Sequence, residues 1–180
     1  KYGEANGVLA GDALQTLAFS LLARMPAADP AIPVRLIREL ADAAGADGII
    51  GGQTADLACG GRADADTVAY VHQHKTADLF RAATRMGAIA AGADAATVDR
   101  LGDFGSHLGV AFQITDDILD APGGVPAKPG ELSCLHTLTV EAARARAADR
   151  TARARAALAG LPGSADPLHA LAQQMLQRLQ

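Results

Sequence analysis

The chain has 180 residues, a formal net charge of −4, 49% hydrophobic residues and 3% aromatic residues. This length and composition fit one domain with an aliphatic, alanine-rich core, and the dispersed basic residues argue against nucleic-acid binding. No run reaches the roughly 18 apolar residues that span a membrane, and the first residues do not resemble a signal peptide. We therefore expect a cytoplasmic protein without a membrane span. The two cysteines lack zinc-ligand spacing.

Helix signals recur along the whole chain, whereas alternating strand-like runs are nearly absent, so the sequence predicts an all-α fold. In chain order, apolar spacing and Gly, Pro and Asp boundaries predict helices over 4–24, 30–44, 48–58, 64–91, 98–120, 137–158 and 166–179. The first of these helices looks buried on most sides. The last two show no chemistry of their own. Glycines at 48, 51 and 52 interrupt the third helix and indicate close approach by another helix or a ligand.

The most informative stretch is 112–120, where an apolar helix ends in three carboxylates: Asp116, Asp117 and Asp120. The helix dipole is negative at this end, so the carboxylates repel one another unless a cation bridges them. Aspartate oxygens are typical ligands of Mg²⁺. This ion usually binds one or two carboxylates, and water molecules and substrate phosphates occupy its other coordination positions. A solvated acidic helix end is the alternative. Two apolar turns before the acids, with Gln113 on about the same face, favour a metal site that opens into a cavity.

Four further stretches place polar side chains on apolar helices, and each stretch alone is weak evidence. They contain Asp12; Gln53 and Asp56; Lys75 and Thr76; and Gln113 beside Phe112. Asp12 is equally well explained as a core aspartate with satisfied hydrogen bonds. An isolated lysine such as Lys75 is usually a surface residue whose aliphatic stem covers apolar neighbours.

Taken together, in this order and spacing, the stretches resemble the trans-polyprenyl diphosphate synthase family, especially bacterial farnesyl and geranylgeranyl diphosphate synthases. The blocks that carry the resemblance are GEANGVLAGDALQTLAF, GGQTADLA, HKTADLFRAATRMGAIAAG and LGVAFQITDDILD, which cover most of residues 1–120. The resemblance implies an isoprenoid-synthase-type bundle of antiparallel helices around a central cavity. It also implies a homodimer and a Mg²⁺-dependent condensation of an allylic diphosphate with isopentenyl diphosphate, which gives a short-chain trans-prenyl diphosphate.

The resemblance also assigns roles to individual residues. It implies that Asp116, Asp117 and Asp120 hold Mg²⁺ against the allylic diphosphate. It further implies that Lys75, Thr76 and Gln113 are catalytic residues that also bind this diphosphate, Lys75 through its charge and the other two through hydrogen bonds. Gln53 and Phe112 are expected to line the substrate site, and Asp56 to support its polar wall.

The chain departs from the family pattern in two places. Members carry a first aspartate-rich motif and basic residues upstream of the block that begins at Lys1, so we expect residues 1–180 to be a single helical domain without its N-terminal part. The loop after Asp120 is shorter than in the family, with Lys128 as its one lysine. It reflects either a deletion or a missing segment, and we favour a missing segment.

Three functions remain open from the sequence alone. The first is the active prenyltransferase. The second is a catalytically silent partner subunit of a prenyl synthase, which the missing first motif would suit. The third is a structural helical domain whose acids are solvated.

Overall fold

The computed structural model describes residues 2–60, 64–124, 132–161 and 163–179. Within these ranges every regular element is helical and no strand is present, which confirms the all-α prediction. A π-helical segment, His72–Ala77, lies between the fourth and fifth α-helices, and a 3-10 turn covers Cys134–His136. The α-helices are α1 (Glu4–Ala23), α2 (Ala31–Ala44), α3 (Ile49–Cys59), α4 (Ala65–Val71), α5 (Asp78–Ala90), α6 (Ala95–Leu119), α7 (Val140–Ala157) and α8 (Asp166–Gln177).

The predicted helix boundaries agree with the structure to within about three residues. Capping side chains explain two of them: Asp64 accepts a hydrogen bond from the Thr67 amide at 2.8 Å, and Asp94 accepts one from the Thr97 amide at 2.7 Å. The clearest difference lies in the range 64–91, where the sequence predicts a continuous α-helix. The structure interrupts this helix with the π segment.

The long helix α6 is the centre of the fold. Twelve of its residues are buried, and it packs against α5, the π segment and α7. Its Val110 and Ile114 join the largest apolar cluster, whereas Phe104 and Leu108 join a second cluster with α7 and α8. A helix that is surrounded in this way fixes the relative positions of its neighbours.

Glycines allow α6 to approach its neighbours closely. A Cβ atom added at Gly105 would lie 2.5 Å from the Phe80 carbonyl oxygen, and one added at Gly109 would lie 2.5 Å from Ala77 Cα. These distances are shorter than van der Waals contact with backbone atoms that have little freedom to move. The backbone of α6 therefore lies directly against the π segment and α5.

The expectation that the first helix is buried on most sides is wrong for the described chain. No residue of α1 is buried, and its exposed large apolar side chains are Val8, Leu9, Leu14, Leu17 and Leu21. Helix α1 is apolar, as the sequence predicts, but it packs mainly against α2 alone. An apolar composition does not determine how many neighbouring helices cover it. No helix in the described ranges, α1 included, is long and apolar enough to cross a membrane.

We predict that Gly109→Ala destabilises the protein by about 1–3 kcal/mol, because the new methyl group would push α6 away from the π segment. Gly87→Ala is the matched control, since Gly87 is an exposed glycine within α5 that has no atom within 4 Å of an added Cβ. It should be neutral or stabilising by up to about 1 kcal/mol through its higher helix propensity. Urea denaturation measures both changes, and equal stabilities for the two variants would contradict the close packing.

Candidate active site

Two helices and the π segment bring the predicted site residues together. Gly52 on α3 lies against the backbone of the π segment, since an added Cβ would be 2.2 Å from the Lys75 nitrogen. This contact confirms that the glycine-rich stretch allows close approach by a helical segment. It places Gln53 and Asp56 beside the π segment, and the C-terminal half of α6 packs against the same segment.

Lys75 forms an ion pair with Asp56, 19 residues earlier in the chain. The Lys75 side chain is 35% exposed and that of Asp56 is 16% exposed, so the ammonium group sits at the edge of the packed region with one face open. Asp56 thus holds Lys75 in place. Gln53 is half-buried and has no hydrogen-bond partner among the described residues.

Thr76 and Gln113 belong to a continuous hydrogen-bond network. The Thr76 hydroxyl donates to Gln113 Oε1 at 2.7 Å, and Gln113 Nε2 donates to Asp117 Oδ1 at 3.1 Å. These two bonds fix which way the Gln113 amide points. The sequence placed Thr76 and Gln113 near the same diphosphate, and the structure brings them into direct contact.

Asp117 is the buried anchor of this network. Its Oδ2 lies 3.1 Å from His72 Nε2 and accepts a hydrogen bond from the Cys134 amide at 2.7 Å. Burial acts to raise the pKa of Asp117, but the interactions with His72, Cys134 and Gln113 outweigh it, so this pKa lies below its ordinary value. The carboxylate is therefore charged and surrounded by protein donors.

The three aspartates of the acidic motif have different surroundings. Asp117 is buried, Asp116 is half-buried and Asp120 is exposed. No group of three or more His, Cys, Asp or Glu side chains in the described chain is arranged to hold a metal ion. The assignment of all three as Mg²⁺ ligands stays a prediction. Asp116 and Asp120 are better candidates for Mg²⁺ ligands than Asp117, because the oxygens of Asp117 already accept hydrogen bonds from three donors.

The electrostatics of Asp116 favour a nearby cation. Burial raises the pKa of its carboxyl group, Arg178 opposes this effect, and the neighbouring carboxylates of Asp120 and Asp117 raise the pKa further. The pKa of Asp116 is therefore raised overall, which means that its surroundings destabilise the negatively charged carboxylate. Positive charge near Asp116 and Asp120 would remove this penalty.

Arg178, at the end of α8, is a site residue that the sequence analysis missed. Its guanidinium donates to Asp116 Oδ1 at 2.8 Å and lies 5.1 Å from the centre of the Phe112 ring. The expectation that the last helix carries no chemistry is therefore wrong in this respect. Phe112 also packs against Phe80, with ring centres 5.3 Å apart, so it forms an apolar wall beside the charged groups.

Lys128, the one lysine of the loop after Asp120, lies outside the described residues.

Comparisons with known proteins identify a family to which the chain is similar. Residues 1–130 match the polyprenyl synthetase family profile. Farnesyl diphosphate synthase from Escherichia coli (strain K12) is 40% identical over 194 aligned positions, which include 99% of this chain and 65% of the relative. The chain thus spans just under two thirds of that relative's length.

Two solved structures share the fold. An FPP/GFPP synthase from Zymomonas mobilis superimposes with a TM-score of 0.84 at 37% identity, covering 95% of this chain and 61% of that one. A geranyltransferase from Helicobacter pylori, complexed with magnesium and isoprenyl diphosphate, gives a TM-score of 0.80 at 29% identity, covering 99% of this chain and 61% of that one. The match over nearly the whole chain agrees with the isoprenoid-synthase-type fold.

We predict that Asp117→Ala lowers the free energy of unfolding by about 3–5 kcal/mol without any metal present, because it leaves the buried His72 ring and the Cys134 amide without their acceptor. Asp120→Ala is the matched control, since the same truncation at an exposed position should cost less than about 0.5 kcal/mol. Urea denaturation in a chelating buffer measures both variants. Similar stabilities would show that Asp117 does not anchor the network.

Proposed function

The chain belongs to the polyprenyl synthetase family, and from this we propose that the full-length protein is a prenyltransferase that condenses an allylic diphosphate with isopentenyl diphosphate. The observation that carries the proposal is that adjacent residues of the π segment contact both neighbouring helices: Lys75 pairs with Asp56 on α3, and Thr76 donates to Gln113 on α6. The product is a short-chain trans-prenyl diphosphate, which fits the farnesyl diphosphate synthase relative at 40% identity.

In the proposed reaction the allylic C–O bond breaks heterolytically, and its electron pair leaves with the diphosphate. The remaining allylic cation accepts the π electrons of isopentenyl diphosphate, so a C–C bond forms and a proton is then lost from the adduct. Lys75 stabilises the leaving diphosphate through its charge, and Thr76 and Gln113 orient it by hydrogen bonding. The Phe112 and Phe80 rings exclude water from the cation on one side.

We propose Mg²⁺ as the cofactor, with Asp116 and Asp120 as the carboxylates that hold it. When bound, Mg²⁺ supplies positive charge to the leaving diphosphate. The raised pKa of Asp116 supports this choice, and so does the magnesium in the related Helicobacter pylori complex. Because carboxylates repel a diphosphate, binding at this end of α6 should require the metal. Arg178 must release Asp116, at least in part, for the carboxylate to bind a metal.

A silent partner subunit is not favoured by any observation. A subunit without activity needs no ordered polar wall, yet the Lys75–Asp56 pair and the Thr76–Gln113 bond are both formed. A structural domain with solvated acids is equally poorly supported, because Asp117 is buried and Asp116 is half-buried.

We further propose that the protein is a homodimer in which α1 packs against a second copy. Five large apolar side chains of α1 are at least half exposed, and Val34, on the helix α2 that packs against α1, is exposed as well. Exposed apolar side chains in this number indicate a surface that another chain covers. Glu4 and Asp12 are the only charged residues of α1, so a symmetric contact brings little like charge together.

We predict that the full-length protein sediments as a dimer at micromolar concentration and that Leu14→Arg shifts it to a monomer, since a charge would be buried at the contact. Leu171→Arg is the matched control, because Leu171 is an exposed leucine on α8, remote in sequence from α1. Sedimentation velocity decides the matter. A wild-type monomer, or an equal response of both variants, would contradict the dimer and indicate that another segment covers α1.

We predict that Lys75→Ala in the full-length protein lowers turnover by about 10²-fold or more, because the leaving diphosphate loses a fixed positive charge. Stability should fall by less than about 1 kcal/mol, since the Lys75–Asp56 pair is partly exposed. Lys75→Arg should rescue turnover only in part. The measurement is incorporation of labelled isopentenyl diphosphate into an extractable prenyl product, with and without Mg²⁺.

Arg38→Ala serves as the control for this experiment, because the Arg38 side chain is 84% exposed and its one ion pair among the described residues is with Asp42 on its own helix. It should leave turnover unchanged. Normal turnover of Lys75→Ala, or activity that persists when Mg²⁺ is chelated, would exclude the proposed roles.

A further inference from the structure

A cavity lies beside the site described above and shares His72 with it. It has a volume of about 170 Å³ and lies between α4, the π segment, α6 and α7. None of its lining residues is an aspartate of the acidic motif, and Lys75 and Thr76 do not line it either. Within the described ranges, the residues that line it are Val68, Ala69, His72, Gln73, Val110, Ile114, Cys134, Arg146 and Arg150.

Two arginines on successive turns of α7 give this cavity a positive wall. Arg146 makes no hydrogen bond or ion pair with any described residue. Arg150 has a single hydrogen-bond contact in the described chain, 3.3 Å to His107 Nδ1, and this contact does not compensate its charge. Burial, together with Arg146 and Arg153, lowers the pKa of Arg150, and Asp149 opposes this shift. The wall therefore carries positive charge that the protein itself does not neutralise.

The inner end of the cavity carries a polar group that is almost fully buried. His72 is 4% exposed, and its Nε2 is used by Asp117. Its Nδ1 has no hydrogen-bond partner among the described residues, and the ring lines the cavity. Gln73 also lines the cavity, but its amide nitrogen donates to Asp78 at 2.8 Å. The donors that remain for an anion are therefore the guanidinium groups, because a neutral ring that donates through Nε2 to Asp117 presents Nδ1 as an acceptor.

Most of the remaining described lining is aliphatic, and Cys134 adds a thiol. Val68, Val110 and Ile114 form an apolar floor opposite the arginines. A pair of guanidinium groups recognises a phosphate through several parallel N–H···O bonds, and a lysine or a neutral group does not provide this geometry. The volume suits a phosphate or diphosphate group with at most a short aliphatic substituent.

We propose that this cavity is an anion site that binds a phosphate or diphosphate group through Arg146 and Arg150, independently of any metal. The ligand is either the inorganic ion or a small organic phosphate whose aliphatic part covers Val110 and Ile114. Binding here differs from binding at the acidic end of α6, because no carboxylate of the cavity wall needs to be neutralised first.

Calorimetric titration of the full-length protein with inorganic diphosphate in EDTA tests this proposal. We expect metal-independent binding whose affinity falls at least tenfold in the Arg146→Gln, Arg150→Gln double variant. Arg146→Gln alone should weaken binding severalfold, and its folding is not in question because Arg146 is exposed and unpaired within the described chain.

Two controls separate this site from general charge effects and from the active site. Arg155→Gln removes the same charge from the same helix at a residue that contacts Gln173 on α8, and it should leave the affinity within twofold of wild type. Lys75→Gln should also leave it unchanged. Absence of binding in EDTA, equal weakening in Arg155→Gln, or loss of binding in Lys75→Gln would each overturn the proposal.

A parallel titration with isopentenyl diphosphate in EDTA distinguishes the two classes of ligand. Binding that is tighter than that of inorganic diphosphate, and that weakens at least tenfold in the Arg146→Gln, Arg150→Gln double variant, supports an organic phosphate that uses the apolar floor. Binding that the double variant does not change belongs to the proposed substrate site and leaves the inorganic ion as the ligand of the cavity. Equal or weaker binding supports the inorganic ion as the ligand.

Discussion

The buried carboxylate of Asp117 is the interaction on which the site depends. It joins three parts of the chain that are distant in sequence: α6, the π segment through His72, and the turn at Cys134. A charge of this kind is tolerated inside a protein only when donors surround it, so the three parts must adopt one mutual arrangement. Because Gln113 donates to the same carboxylate, the orientation of its amide toward Thr76 follows from that arrangement. A motif residue expected to bind metal thus organises the residues that are proposed to bind the substrate.

The π segment performs the second organising step. A π turn widens the helix locally and is common at functional positions. It contains His72, Lys75 and Thr76, which contact Asp117, Asp56 and Gln113 respectively, so one short segment contacts both neighbouring helices. The absence of side chains at Gly52 and Gly109 lets α3 and α6 approach its backbone from either side. Tight packing thus places a lysine at the edge of the core, where one partner holds it and one face remains open.

The sequence predicted what depends on local signals and failed where distant contacts decide. Capping aspartates and apolar spacing located the helices because those interactions span three or four residues. Family motifs supplied Lys75, Thr76 and Gln113, but no local pattern shows that Asp117 pairs with His72, 45 residues away, or that Arg178 reaches Asp116 from 62 residues away. The predicted burial of α1 is wrong for a related reason, because an apolar composition does not determine whether another part of the chain packs against the helix. The π segment was missed because its residues favour a helix but do not determine which type forms.

Two environments of opposite charge lie beside helix α6, the acidic end and the arginine-lined cavity. His72 belongs to both, because its Nε2 contacts Asp117 while its ring lines the cavity. An anion in the cavity would change the electrostatic environment of the His72 ring, and so the energy of the His72–Asp117 contact and, through Gln113, that of the Thr76 hydrogen bond. Such coupling is reciprocal by thermodynamic necessity: if an anion in the cavity changes diphosphate affinity at the acidic end, then diphosphate bound there changes the affinity of the cavity by the same factor. A single imidazole ring that lines the cavity and contacts Asp117 is a short path for such an effect.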